Sequence, residues 1–257
     1  MEKCSIITYN LNGIRSAMNK GFTLWLEKQN PDIICIQETK AQPEQVDTSI
    51  LEHLGYHHYW HSAQKKGYSG VAIFSKTKPL KVTEGCGINT YDNEGRVLKL
   101  DFEKFSLVNT YFPSGSSGEE RQAFKMQFLG DYFGLLQQWR KQYNKLIICG
   151  DFNICHRPID IHDPVSNKNS SGFLPEERAW MDAYFNSGMI DTFRHFNPNP
   201  HQYSWWTFRA GARARNKGWR IDYVTASESL KENLVAAAIH QDVVHSDHCP
   251  VSLELKF

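Results

Sequence analysis

Five short segments place acid, amide or imidazole side chains where an apolar run begins or ends. Ser5–Thr8 leads into Asn10 and Asn12, Ile33–Ile36 into Gln37 and Glu38, and Leu146–Cys149 passes through Gly150 into Asp151 and Asn153. Asp222 stands just before Tyr223–Thr225, and Asp247-His248 just before Val251–Leu255. If the last two runs are strands antiparallel to the first three, Asn10, Glu38, Asp151, Asn153, Asp222, Asp247 and His248 gather on one rim. The set is rich in oxygen and free of sulfur, which suits Mg²⁺ or Mn²⁺ rather than zinc. Four carboxylates brought together raise one another's pKa unless positive charge intervenes, and a metal ion and an imidazolium are the natural compensation. A single Asp after a strand is more often a turn former or helix cap. The convergence of five such sites is what points to chemistry.

The elements that must position these groups follow from periodicity. Ser5–Thr8, Ile33–Ile36, Val71–Phe74, Val97–Phe102, Ser106–Tyr111, Leu146–Cys149, Tyr223–Thr225 and Val251–Leu255 are short and β-branched, so they read as strands. Glu103-Lys104-Phe105 reads as a hairpin connection. Helical patterns cover Phe22–Gln29, about Thr48–Leu54, Glu119–Tyr143 and Pro175–Asn186. The last has Pro175 in its first turn and Glu176 and Glu177 near the positive end of the helix dipole. Two long stretches, Cys155–Phe173 and His201–Trp219, read as loops, and loops of that length in a compact domain are usually functional. With no long linker, low-complexity segment or repeat, the pattern predicts one α/β domain over residues 1–257, with sheet packed on sheet.

Composition narrows the class. A 257-residue chain that is 40% hydrophobic and 22% charged is an ordinary globular sequence. Its formal charge of +1 provides no global pull toward nucleic acid, so any such attraction must be local. The six cysteines lack metal-type spacing, and Cys4, Cys35 and Cys149 lie in or beside apolar runs, which fits a reducing compartment. The amino terminus enters a strand pattern without a hydrophobic leader, and no apolar run approaches the ~20 residues of a membrane span. The expectation is a soluble, monomeric, intracellular protein, cytoplasmic in a bacterial-type cell.

Larger motifs join these points. Tyr9-Asn10-Leu11-Asn12-Gly13-Ile14-Arg15, Gln37-Glu38-Thr39-Lys40, Asn109-Thr110-Tyr111-Phe112-Pro113 and Gly150-Asp151-Phe152-Asn153 are followed by Asn167-Lys168-Asn169 with Gly172-Phe173, by Gly218-Trp219-Arg220-Ile221-Asp222-Tyr223, and by Ser246-Asp247-His248-Cys249-Pro250. In type and order, from residue 9 to residue 250, they make the chain resemble the exonuclease III-like apurinic/apyrimidinic endonucleases, within the endonuclease/exonuclease/phosphatase superfamily that includes DNase I.

The resemblance implies a four-layer αββα sandwich of two packed mixed β-sheets flanked by helices, with the site at the top. It implies Mg²⁺-dependent (or Mn²⁺-dependent) hydrolysis of the phosphodiester 5′ to an abasic site in double-stranded DNA, leaving a 3′-hydroxyl and a 5′-deoxyribose phosphate, with some trimming of 3′ ends. The roles it assigns are metal binding by Glu38 with Asn10 and Asp247, water activation by Asp151, and a phosphate clamp by His248 paired with Asp222. Asn153 and Asn10 would orient Asp151 or donate to phosphate, Asp151 and Asn153 lying beside the metal, and Tyr111 would supply a phenolic donor. Trp205, Trp219 and Ile221 would wall a pocket for the extruded sugar, Asn167 and Asn169 would lie near the target strand, and Arg15, Arg215, Lys20 and Arg121 are candidates for phosphate contact. The run from Tyr203 to Arg220 interleaves aromatics with Arg209, Arg213, Arg215 and Lys217, a pattern suited to ring packing and backbone neutralisation.

Some positions depart from family patterns. Asn12 stands where some members have Asp, Trp205 where some have Phe, and Ser114–Gly118 lacks an Arg that some insert into the duplex. Three other readings stay open at this point: an enzyme dominated by 3′-end trimming, a lipid or inositol phosphate phosphatase, and an inactive DNA-binding relative.

Overall fold

The computed structural model describes residues 2–257 and contains two six-stranded sheets. The first runs, in spatial order, β11 (Leu234–Ile239), β12 (Val251–Lys256), β1 (Lys3–Asn10), β2 (Ile33–Gln37), β4 (Val71–Ser75) and β3 (His57–His61). The second runs β5 (Lys81–Glu84), β6 (Val97–Asp101), β7 (Ser106–Tyr111), β8 (Leu146–Asp151), β10 (Asp222–Ser227) and β9 (Met189–Asp191). Both are mixed, with β1/β2 and β7/β8 parallel and the other pairs antiparallel.

Alternation along the strands builds the layers. Ile6, Cys35, Ile73, Leu107, Cys149, Val224 and Leu253 point between the sheets. Their neighbours Ile7, Ile34 and Ile36 pack outward on Phe22 and Leu26, while Val108 and Ile148 pack outward on Phe128, Tyr132 and Tyr184. A central strand covered on both faces has no polar side, which is why these strands are almost continuously apolar in sequence.

The expected rim exists. In β1 and β2, Asn10 lies beside Gln37; in β7 and β8, Tyr111 lies beside Asp151; and antiparallel β10 sets Asp222 opposite Asp151. β12 begins opposite the end of β1, pairing Val251 with Thr8, so Asp247 and His248 arrive at the same edge. Gly150 makes the approach possible. Its φ is +141°, and a Cβ there would fall 1.8 Å from the Thr110 carbonyl oxygen, so only glycine fits beside β7.

The hairpin at 103–105 and the helices Phe22–Gln29 and Pro175–Asn186 form as expected, while Glu119–Gln142 and Ser49–His53 differ from expectation only at their ends. Four further strands, β3, β5, β9 and β11, lack the β-branched apolar runs that mark the others. β3 reads His-His-Tyr-Trp-His, and β11 is an edge strand rich in alanine with Val235 and Ala236 exposed. A short bridge between Ile161 and Trp219 staples the two long loops together, a second between Trp205 and Trp219 closes the latter loop on itself, and Trp205 also bridges His248.

Among the described residues, no helix is long and apolar enough to cross a membrane.

Candidate active site

Asn10, at the end of β1, lies between two acids from different sheets. Its side-chain N–H₂ donates to Glu38 Oε1 at 2.8 Å and to Asp151 Oδ2 at 2.9 Å, while its Oδ1 accepts the Asn12 backbone N–H at 2.9 Å. Glu38 adopts a left-handed backbone (φ 51°), and its other oxygen meets Lys40 Nζ at 2.8 Å. Burial works against its charge, but Lys40, with Asn10, holds its pKa below the ordinary carboxylate value. Asn153, also left-handed (φ 52°), points its backbone N–H at Asp151 Oδ1 (2.8 Å) and its amide at Asp151 Oδ2 (3.3 Å) and the Phe112 carbonyl (3.0 Å). Asp151 therefore sits in a cradle of amide donors.

His248 faces that cradle. Its Nδ1 lies 2.9 Å from Asp222 Oδ2, and its Nε2 lies 3.8 Å from Asp151 Oδ2. Ser204 fixes the pair, donating its hydroxyl to Asp222 Oδ2 at 2.6 Å and accepting the N–H groups of Ile221 and Asp222. Burial alone would push the His248 pKa down; Asp222, then Asp151 and Asp247, carry it up to about 10. The ring is an imidazolium at neutral pH.

Asp151 moves the other way from a surface carboxylate. Burial and the neighbouring charge of Asp222 push its pKa up to about 7, against the opposing pull of His248. Tyr111 is raised well above the ordinary phenol value, first by burial and then by Glu38 and Asp151, so it keeps its proton and can donate. The Arg96 guanidinium lies 5.0 Å from its ring centre.

Asp247 completes the acids. Asn12 donates to its Oδ1 at 2.9 Å and the Trp205 indole N–H to its Oδ2 at 3.0 Å. Although burial opposes ionisation, His248, Trp205 and Asn12 hold its pKa below the ordinary value.

The acids fit a divalent cation. Glu38, Asp151, Asp222 and Asp247 crowd together with Lys40 and the His248 imidazolium close by, and the charges of Asp222 and Glu38 are part of what raises Asp151. Glu38, Asp151 and His248 bring ligand-type atoms within 4.8 Å of one another. The Nδ1 of His248 is engaged by Asp222, and a hard divalent cation prefers oxygen to imidazole nitrogen. The oxygens of Glu38, Asp151 and Asp247 are the suitable donors.

A cleft of about 780 Å³ opens over these groups, walled by Trp205, Trp219 and Ile221 and reaching Asn169 and the Ser114–Gly118 loop. The two indoles meet edge to face, centres 6.0 Å apart.

The remaining sequence candidates lie elsewhere. Asn167 turns inward on its own loop, bonding the carbonyls of His162 and Asp163 and leaving Asn169 to face the cleft. Arg15, Lys20 and Arg215 are exposed and do not line the cleft, Arg215 closing on the Ala210 carbonyl. Arg121 pairs with Glu94 and the Tyr68 hydroxyl.

Two cations grouped with the aromatic loop have other work. Arg213 binds the carbonyls of Gln241, Val243 and Ser246, and Arg220 is fully buried between Asp160 (2.8 Å) and Asp191 (2.6 Å). Trp206 is likewise core, not cleft. Extended backbone sends successive side chains to opposite faces, so Trp219 and Ile221 face the cleft while Arg220 faces away. Ser204, Lys40 and Asn12 were the residues whose roles sequence reading missed or left unassigned. Lys40 stood inside a quoted motif, but Ser204 looked like a spacer between aromatics.

Arg220 and Arg194 both bond Asp160, which ties the cleft wall to the loop after β8. Burial would raise Asp160, but the two guanidiniums hold its pKa at about 2. Its contribution to stability is present above the ordinary carboxylate value and lost as pH falls through about 2. Asp160→Asn is expected to destabilise the fold by about 3–5 kcal/mol, because it leaves buried guanidinium charge without a partner. Urea unfolding at neutral pH measures this, and a loss under about 1 kcal/mol would contradict it.

Comparison with known proteins places the chain among hydrolases. A model of the Endonuclease/Exonuclease/phosphatase family matches residues 7–248. An exodeoxyribonuclease of Bacillus subtilis is 45% identical over 96% of this chain and 98% of its own length. Among solved structures, an AP endonuclease from Archaeoglobus fulgidus superposes with a TM-score of 0.90 at 30% identity, covering 99% of this chain and 100% of that one. A 3′ phosphatase from Neisseria, bound to a product DNA hairpin, superposes with a TM-score of 0.92 at 25% identity, with the same coverage.

Proposed function

The chain belongs to the Endonuclease/Exonuclease/phosphatase family, and from that premise we propose that it is an Mg²⁺-dependent DNA repair nuclease. It hydrolyses the phosphodiester 5′ to an abasic site in duplex DNA, leaving a 3′-hydroxyl and a 5′-deoxyribose phosphate, and it trims 3′ ends as a second activity. The observation that carries this reading is the double engagement of Trp205. Its ring lines the cleft against Trp219 while its N–H holds Asp247, so the aromatic wall of the cleft stands directly beside the acids.

Asp151, oriented by Asn10 and Asn153, takes a proton from the attacking water. The His248 imidazolium, held by Asp222, and the Tyr111 hydroxyl donate to phosphate oxygens as charge builds there. Trp205, Trp219 and Ile221 enclose the baseless sugar, with Asn169 at the cleft mouth. A missing base makes extrusion cheaper. Glu38, with Asp151, Asp247 and Asn10 around it, would hold the metal, which when bound neutralises phosphate charge and stabilises the departing 3′ oxygen. Action as a monomer inside the cell is part of the same proposal.

The similarity to the Neisseria 3′ phosphatase favours the second activity. Parallel assays decide between them: a duplex with one tetrahydrofuran abasic analogue, and a recessed 3′ end, each with Mg²⁺ and with chelator. Nicking beside the analogue is expected with Mg²⁺ and lost on chelation. Trimming without nicking would make the 3′-end reading the right one, and nicking that survives chelation would remove the metal.

A further inference from the structure

Lys125 and Glu177 form an ion pair in which neither side chain reaches solvent, Nζ to Oε1 2.6 Å. Such a pair is an expensive way to fill space. Apolar residues of similar volume pack as well or better, so a buried pair is weak evidence of a stabilising role. Capping accounts for only part of Glu177, whose Oε2 accepts the N–H groups of Leu174 (3.0 Å) and Gly172 (2.7 Å) ahead of its own helix.

The rest of the network runs toward the active site. Lys125 Nζ also donates to the Asn153 carbonyl at 2.8 Å, and Asn153 is the residue whose N–H and amide hold Asp151. Gln122, one turn before Lys125 and on the same face, donates to Glu177 Oε1 (3.0 Å) and accepts from the Ser171 hydroxyl (2.6 Å). The Cys155 N–H closes the ring on the Gly172 carbonyl at 2.7 Å. Residues 169–172 and Leu174 form one wall of the cleft.

We propose that Lys125 and Glu177 are positioning residues that lock this cleft wall to the Asp151–Asn153 turn, so that substrate held by the wall meets Asp151 in register. The proposal rests on the nuclease reading for its substrate, and its geometry is testable without it.

The double variant Lys125→Met/Glu177→Leu removes both charges and keeps the volume. It is expected to melt below wild type, since the Gly172 and Leu174 N–H groups lose their acceptor, but to stay folded at the assay temperature, and to show kcat lower by at least about tenfold on the tetrahydrofuran duplex, with KM changed less than about threefold. Hydrogen exchange is expected to quicken in peptides covering 153–155 and 169–174 and to stay unchanged in the central strands, a pattern that general loosening would not give. Wild-type kcat in the folded double variant, or exchange raised evenly across the sheets, overturns the proposal. If the double variant does not fold, Glu177→Gln takes its place, since it keeps an oxygen for Gly172 and Leu174 but gives up the charge. The same loss of kcat is expected there, and its absence is equally fatal. Wild-type protein that fails to nick the duplex sinks the nuclease reading, and the exchange pattern alone then decides the coupling.

Discussion

Asp151→Asn is expected to lower the rate of nicking at a tetrahydrofuran site by at least about 10³-fold while leaving duplex affinity intact. The carboxylate is cradled by amide donors from Asn10 and Asn153 and lines the cleft. The amide keeps its size and can still bond within the cradle, but it cannot accept a proton from water. Removing a negative charge beside a phosphate should hold affinity constant or tighten it. Single-turnover rates with Mg²⁺, together with fluorescence anisotropy in chelator, separate the two quantities. A variant within about tenfold of the wild-type rate would move the base elsewhere, and lost binding would make Asp151 a structural residue.

His248→Asn carries the second large effect, an expected fall of about 10²–10³-fold in kcat. Asparagine can still hydrogen-bond to phosphate but brings no positive charge, and Asp222 is then left buried with nothing to neutralise it. The pH profile makes the assignment sharper. The imidazolium persists below its pKa of about 10, so activity limited by this group should hold through pH 8–9 and fall above about 10. Asp222→Asn removes the largest influence raising that pKa, so the alkaline limb should shift to lower pH. An unshifted limb would mean that some other group sets it.

Much of this site could be read before any fold was known, because polar residues at the ends of apolar strands declare both their element and their edge. Asn10, Glu38, Asp151, Asp222 and His248 belong to that class, and the structure draws them together through strand register. Side-chain direction in loops was harder to read. Arg220 sits between two aromatic-pocket residues in sequence, yet it points at Asp160 and Asp191, and only strict alternation through Gly218–Asp222 could have signalled it. Ser204 gave no signal, since a serine between aromatics has no periodic signature, and its bond to Asp222 spans 18 residues. The strands β3 and β11 escaped for a different reason. Both lie at sheet edges, β3 being dominated by histidine and aromatic residues and β11 by alanine, a weak strand former.

Cleavage of the tetrahydrofuran duplex in water enriched in heavy oxygen, followed by mass spectrometry of both fragments, tests the central claim most directly. Hydrolysis by an Asp151-activated water places the heavy oxygen on the 5′-phosphate of the abasic fragment and leaves an unlabelled 3′-hydroxyl upstream. A 3′-phosphate upstream, or a cut without label in the phosphate, would contradict it.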